Sequence, residues 1–310
     1  MQWVGLVAVS LPGLAALAAL LFTWMQVDQT RKELQIGEQG QITNRFNAAV
    51  RNLGSESRDV RLGGIYGLER IMQDSARDHP TVVSVLSAYV RQNAPLPASG
   101  TKKTQTTATE HSPRADVQAV MNVLANRRPG RDRGALVDLS RTDLRGLKPT
   151  GGSFRSYYTH ELDINFREAN FEESDLSGAD LQNADLREAW MAGTNLSTAN
   201  LIEANLRQAD LSGANLINAD FCLELTVGET GSKFVCADLT GASLDGAKLA
   251  GAFLPHAKLT GATLSNADLT GANLTDADLT DADLTYANLT NADLTRAKLD
   301  GVRGLPSSLH

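Results

Sequence analysis

The sequence predicts a mainly β solenoid, preceded by a membrane-spanning helix and a small α-helical region. Three observations carry that reading. An apolar residue returns at every fifth position, as at Leu269, Leu274, Leu279, Leu284, Leu289 and Leu294, with Ala two places before each. Trp3 to Met25 contains no charged side chain. Between these stretches, apolar residues recur at helical spacing, as at Val117, Val120, Met121 and Leu124.

A period of five fits neither a helix nor an uninterrupted strand. Within one unit, Ala and Leu two apart point the same way, as in a strand, and the Asp or Asn between them points outward. The other two residues must turn the chain, which Ser, Thr, Asn, Asp and Gly do readily. Repetition gives a coil with short straight sides around stacked Ala and Leu. Burying one Leu is worth roughly 1.5–3 kcal/mol, whereas ordering five residues costs about 1.5 kcal/mol each. Single units therefore cannot stand alone, so stability is cooperative and the ends need caps.

The motif in Ala179-Asp180-Leu181, Ala272-Asn273-Leu274 and Ala282-Asp283-Leu284 resembles that of the pentapeptide-repeat family. The resemblance implies a right-handed, four-sided β-helix with four pentapeptides per coil. Its inward central residues run from Phe166 through Phe171 and Leu176 to Phe221, then resume from Phe234 to Leu299. A weaker set at Leu139, Leu144 and Phe154 is expected to form the opening coil. Two departures interrupt the repeat. Residues between Phe154 and Phe166 shift the phase by two, and Cys222 to Lys233 shifts it by three. Such insertions map to loops, often on a binding face.

The expected organisation is an anchor over 1–27, a helical region over 28–93, a mobile linker over 94–111, and a capping helix with its connection over 112–135. The solenoid follows over 136–303 and a tail over 304–310. The uncharged run is long enough to cross a bilayer as one helix, with Trp3 and Trp24 near its ends. It lacks the basic n-region of a signal peptide. Arg31, Lys32 and Arg45 follow it and nothing basic precedes it, which places the C-terminal bulk in the cytoplasm. Ile42, Phe46, Ala49, Val50 and Leu53 mark one helical face ending at Gly54. Ser57 is placed to cap the next helix, with Val60, Gly64, Leu68 and Ile71 inward. Pro80 starts a third helix, with Val82, Val83, Leu86, Tyr89 and Val90 apolar, and Ser112-Pro113 starts a fourth. Asp59-Val60-Arg61-Leu62-Gly63-Gly64-Ile65-Tyr66 looks like the junction of membrane-anchored pentapeptide-repeat proteins, which implies a short HEAT-like region joining anchor to solenoid.

Charge divides the chain. Residues 1–160 hold 20 basic against 13 acidic side chains, and residues 161–310 hold 9 against 23. The repeat half is therefore an acidic rod. No catalytic residue, cofactor site or metal site emerges. His160-Glu161 begins like a zinc-protease motif, but Ile164 stands where the second His is needed. Gly228 to Lys233 is too short for a phosphate loop. The two cysteines, Cys222 and Cys236, flank the second insertion; free thiols are expected in a cytoplasmic protein, and a disulfide closing that loop is the minority reading.

Surface irregularities are the remaining candidates. Trp190 and Phe253 occupy the outward slot that normally holds Asp or Asn, and Trp is enriched among interface hot spots. Glu224, Glu229 and Lys233 carry the charge of the second insertion and complete the candidate partner-binding set. If that insertion leaves at one corner without skipping a side, Phe253 is expected on the face just after the corner and Trp190 on the next. The leading functional reading is a membrane-tethered, non-catalytic scaffold for an unidentified protein partner, with no direct nucleic-acid binding. The family resemblance implies one alternative, mimicry of DNA toward a type II topoisomerase or other nucleic-acid-binding protein. Self-association through an open C-terminal coil, giving a homodimer, is the other.

Overall fold

The computed structural model describes residues 2–97, 112–150, 164–227 and 231–305, with side chains from Ala19 onward apart from residues 226, 227, 231 and 232. The chain opens on α1 (Gln2–Leu53), followed by α2 (Arg58–Asp74), α3 (His79–Asn93) and α4 (Ala115–Ala125). The expected anchor and the expected helix ending at Gly54 are one element: α1 is continuous over 52 residues, about 78 Å at 1.5 Å per residue. Its side chains from Leu20 to Met25, and Leu34 and Ile36 beyond them, are exposed. Among the described residues no helix is long and apolar enough to cross a membrane. Most of the stretch from Trp3 to Met25 lies outside those whose side chains are described.

The helical core follows the apolar periodicity. Ala49 and Leu53 of α1, Ile65, Leu68, Ile71 and Met72 of α2, and Val82, Val83, Leu86, Tyr89 and Val90 of α3 are buried. Val50 and Val60, expected inward, are exposed, because α2 turns its Gly64–Ile65 edge toward α1. Gly64 lets the two helices touch, since a Cβ there would lie 2.7 Å from the Ala49 carbonyl oxygen. Ser57 occupies the N-cap position of α2 but makes no side-chain cap bond; its own N–H donates to Ser55 Oγ instead. Asp116 at the start of α4 gathers Arg61 (2.6 Å), Arg114 (2.7 Å) and the Tyr89 hydroxyl (2.8 Å). Arg61 also donates to the Ser55 and Glu56 carbonyls. The Asp59–Tyr66 motif thus has a packing role, with Gly64 at a helix crossing and Arg61 joining α2 to α4.

The solenoid has four sides. Backbone bridges join residues 20 apart, as in Asn170–Trp190–Asp210 and Asp175–Asn195–Asn215. Face 1 carries the outward slots Asn165, Asp185, Asn205, Asp238, Lys258, Asp278 and Lys298. Face 2 runs from Asp138 through Trp190 to Arg303, face 3 from Asp143 to Asn288, and face 4 from Asp180 to Asp293. Most sides pair through a single bridge. Among the described residues of the solenoid, β1 (Ile164–Asn165) and β2 (Ala184–Asp185) pair over two consecutive residues and run parallel. On every side the central residue donates to the slot carbonyl of the next coil, and the slot N–H donates to the Ala carbonyl of the previous one. Leu201 to Asp220 (2.7 Å) and Asn200 to Ala179 (2.9 Å) are examples. Each corner closes with a bond such as Ala204 N–H to Leu201 carbonyl. Its last residue is left-handed, as at Glu203 (φ 59°) and Gly213 (φ 66°), the backbone that Asn, Asp and Gly tolerate best.

Both phase breaks leave between face 4 and face 1, and neither skips a side. Asp143 pairs with Asp175 and Asn205 with Asp238, so 12 and 13 residues are added to the 20-residue step. Phe154, His160 and Glu161 lie outside the described residues. The second insertion is an antiparallel hairpin of β3 (Cys222–Val227) and β4 (Gly231–Cys236). It is longer than the sequence indicates, because Phe234 sits on β4 and inward packing resumes at Leu239. The five-residue count placed Phe234 in phase by coincidence. The cysteines are not free thiols: hairpin register sets Cys222 opposite Cys236, and the two form a disulfide.

The two ends of the rod differ. At the N-terminal end each face meets a partner. Arg127 donates to the Asn165 carbonyl on face 1, and Arg91 to the Asp138 carbonyl on face 2. Pro95 pairs antiparallel with Thr142 beside face 3, so the first residues of the expected linker are docked. On face 4, Gln118 and Asn122 of α4 and its C-cap Asn126, each four residues from the last, bond the backbone of Lys148 and Thr150. Arg127 is buried with Asp132, which also meets His79 Nε2 at 2.7 Å. At the C-terminal end Leu289, Leu294 and Leu299 are only half-buried, and among the described residues nothing pairs with their N–H groups.

The α1–α2 contact gives a matched test. Gly64→Ala should lower stability by about 1–3 kcal/mol through overpacking. Gly63→Ala, with nothing within 4 Å of its added Cβ, should raise it by about 1 kcal/mol. Thermal melts of the two variants check the pair, and equal shifts would contradict the close approach.

Candidate interaction surfaces

Outward slots serve the turns before they serve the surface. The slot oxygen accepts the N–H two residues on, as Asn170 does from Glu172 (2.9 Å) and Asp210 from Ser212 (3.0 Å). Amide ladders run along the faces as well, from Asn215 to Asn195 to Asp175. Several carboxylates are further engaged by cations. On face 1, Asp185 pairs with Arg187, Asp238 with Lys258 and Arg207, and Asp278 with Lys298. The acidity of the rod is therefore partly neutralised on that side.

These contacts move proton affinities. Hydrogen bonds from Thr280 and then Lys298 pull the Asp278 carboxyl down to about 2. Asp268, Asp283 and Asp293 lie below the ordinary carboxylate range, chiefly through the hydroxyls of Thr270, Thr285 and Thr295. In the helical region burial pushes the Asp116 carboxyl up, but the bonds from Tyr89, Arg61 and Arg114 outweigh it and hold it low. Burial and then Asp116 push the Tyr89 hydroxyl up to about 12.

The structure separates the two aromatic slots. Trp190 stands on face 2, 48% exposed, between Asn170 and Asp210. Phe253 stands on face 4, directly over Asp220 and half-buried. It lies on the face just before the insertion corner rather than after it, and Trp190 lies on the opposite face rather than the adjacent one. The slots also differ in what they give up. Pro255, two residues after Phe253, has no N–H to satisfy, so an aromatic there leaves the turn intact. An indole cannot accept, so Trp190 forfeits the bond that Asp or Asn would make to Ala192.

Around the insertion corner, Phe253 leads into Pro255 and His256. The His256 ring lies 4.4 Å from that of Phe234 on β4. Asp276 sits one coil further, 3.6 Å from His256, and Arg296 forks onto Asp276 at 2.8 and 2.6 Å. Glu224 and Lys233 are exposed on the hairpin. Their register, Glu224 opposite Phe234 and Lys233 opposite Leu225, puts them on opposite hairpin faces. Glu229 lies outside the described residues. Sequence reasoning missed Leu223 and Leu225, 41% and 40% exposed; their spacing of two, flanked by Cys, was the available signal. It also missed Tyr286, 85% exposed in a left-handed corner position where Gly, Asn and Asp prevail. Among the described residues no group of three or more His, Cys, Asp or Glu could hold a metal ion.

The pentapeptide-repeat family model matches in eight copies, over residues 164–201, 191–222, 237–276 and 262–301. HetL, a pentapeptide repeat protein of the cyanobacterium Nostoc sp. PCC 7120 involved in heterocyst differentiation regulation, is 35% identical over 53% of this chain and 81% of its own. The chain belongs to the pentapeptide-repeat family. The TM-score to HetL is 0.24. Another pentapeptide repeat protein of Nostoc PCC 7120, alr5209, is 30% identical over 42% of this chain and 83% of its own, with a TM-score of 0.20. QnrB1, a plasmid-mediated fluoroquinolone resistance protein, is 20% identical over 56% of this chain and 92% of its own, with a TM-score of 0.23. No curated protein matches the chain. The matched segments thus cover the solenoid from residue 164 to 301 and skip the hairpin between residues 222 and 237.

The lowered carboxyls give a signed pH dependence. A folded value below the unfolded one contributes stability that is complete above about pH 4 and is lost as pH falls through the folded value. For Asp278 that window runs from about pH 4 to about 2. Melting temperature should fall across it, and Asp278→Asn, which keeps an acceptor for Thr280, should flatten the slope. An unchanged slope in the variant would show that this carboxylate gains nothing from its partners.

Proposed function

We propose that this pentapeptide-repeat protein is a membrane-tethered, non-catalytic scaffold that holds its solenoid for a protein partner. The observation carrying this reading is the continuity of α1, which leads from the uncharged stretch 3–25 to the helical cap without a break. From Gln26 to Arg45 lie 20 residues, about 30 Å of helix, whose side chains are largely exposed. Such a rod would hold the solenoid away from the bilayer surface. Arg31, Lys32 and Arg45 favour a cytoplasmic placement by the positive-inside rule. Trp190, which forfeits a turn bond, is the foremost candidate anchor for the partner. Nucleic-acid mimicry ranks behind this reading, because face 1 carries its carboxylates paired with Lys and Arg. Self-association is a second reading, favoured by the half-buried leucines of the last coil and by its N–H groups that have no partner among the described residues.

One preparation tests both readings. The full chain should stay in membranes washed with alkaline carbonate, and a variant lacking residues 2–25 should not. Release of the full chain by the wash contradicts the tether. Light scattering of the detergent-extracted protein then reads self-association, and a monomer at high concentration rejects it.

A further inference from the structure

At the hairpin base three features meet. The base is closed without sulfur, since Ala237 N–H donates to the Phe221 carbonyl at 2.8 Å within the coil. The disulfide therefore adds little loop closure to a segment whose ends the solenoid already holds together. At this corner, the left-handed residue of one coil regularly donates to a carbonyl of the next, as Asn183 does to Ile202 and His256 to Thr275. The residue that would serve Pro255 in that pattern is Leu223, which is instead paired with Val235 across the hairpin. Among the described residues the Pro255 carbonyl thus has no backbone donor, and both sulfurs lie against its oxygen, Cys222 at 2.8 Å and Cys236 at 2.9 Å. A disulfide sulfur has no hydrogen to give it; a thiol has.

We propose that Cys222–Cys236 is a reversible thiol–disulfide switch that fixes or frees the hairpin. In the oxidised form the cross-strand bond pins β3 to β4 and leaves the Pro255 carbonyl unsatisfied. In the reduced form the thiols satisfy that carbonyl and the hairpin loses its covalent tie. The reaction partner is a protein dithiol. Cys222 is 3% exposed and Cys236 half-buried, so the incoming thiolate attacks the Cys236 sulfur and forms a mixed disulfide. Cys222 leaves as a thiolate and takes up a proton. The partner's second thiolate then attacks the mixed disulfide, and the Cys236 sulfur departs and is protonated. Two electrons pass to the protein and the partner becomes a disulfide. Reversibility reconciles this pair with a cytoplasmic solenoid, where lasting structural disulfides are rare. The switch goes beyond the scaffold reading and stands whether or not the chain is membrane-bound or the hairpin receives a partner.

The test uses the full chain in detergent, oxidised or treated with millimolar dithiothreitol. Alkylation should show both cysteines free after treatment under native conditions. Trypsin should then cut after Lys233 about tenfold faster, following local opening of the hairpin, while the global melting temperature stays within a few degrees. The double variant Cys222→Ser, Cys236→Ser should behave as the reduced protein under both conditions. A pair that resists dithiothreitol until the chain unfolds is a structural disulfide and overturns the proposal. So does equal cleavage at Lys233 in the oxidised and reduced protein, or a pair that stays reduced under oxidising conditions.

Discussion

Hydrogen bonds between successive coils are what the rest of this structure depends on. Each side of the solenoid pairs through one or two residues, so no side is a strand that could stand by itself. Leu201 needs Asp220 above it and Asn200 needs Ala179 below it. The Ala and Leu interior supplies the apolar burial, but burial alone does not fix register. The backbone ladder does, because a slip of one residue would turn every Leu outward. The outward Asp and Asn then secure the corners, and their acidity is first a consequence of turn chemistry.

That dependence makes the ends the critical places. The N-terminal end is answered face by face, by Arg127, Arg91, the Pro95 segment, and the Gln118–Asn122–Asn126 row of α4. The helical region is thus a cap fitted to one exposed backbone edge, with Asp132 binding both Arg127 and His79 to hold that fit. Removing Arg127 or Asp132 leaves the other's charge buried and uncompensated, at about 3–5 kcal/mol. The C-terminal coil has no counterpart among the described residues. Among the described residues the two ends of the rod are therefore chemically different surfaces, and those of the last coil show the unpaired edge.

The solenoid was legible because its signal repeats, and the phase shifts of two and three survive in the fold as 12 and 13 added residues. Apolar positions of α3 and α4 were legible for the same reason. What failed was local and unrepeated. Phe234 fell in phase with the leucines yet belongs to the hairpin, since a period cannot tell a coil from a strand of matching length. Val60 looked inward until Gly64 set the rotation of α2 against α1. The cysteines were read from compartment chemistry, while their pairing follows from hairpin register. Phe253 and Trp190 looked equivalent as aromatic intruders. Only the neighbouring residue distinguishes them, because Pro255 asks nothing of its slot and Ala192 does.

These distinctions focus the functional question on few residues. A regular face says little about a partner, since its side chains are occupied in turns and ladders. Trp190, the hairpin and the open coil are where the surface departs from what folding requires. Native-state hydrogen exchange of the full chain tests most directly whether the rod is sealed at its N-terminal end and open at the last coil described. Amides of Leu176, Leu181 and Leu186 should exchange only on global unfolding. Those of Leu289, Leu294 and Leu299 should exchange at least about a hundredfold faster, as an unpaired edge does. Equal protection of the two sets would contradict that difference between the ends.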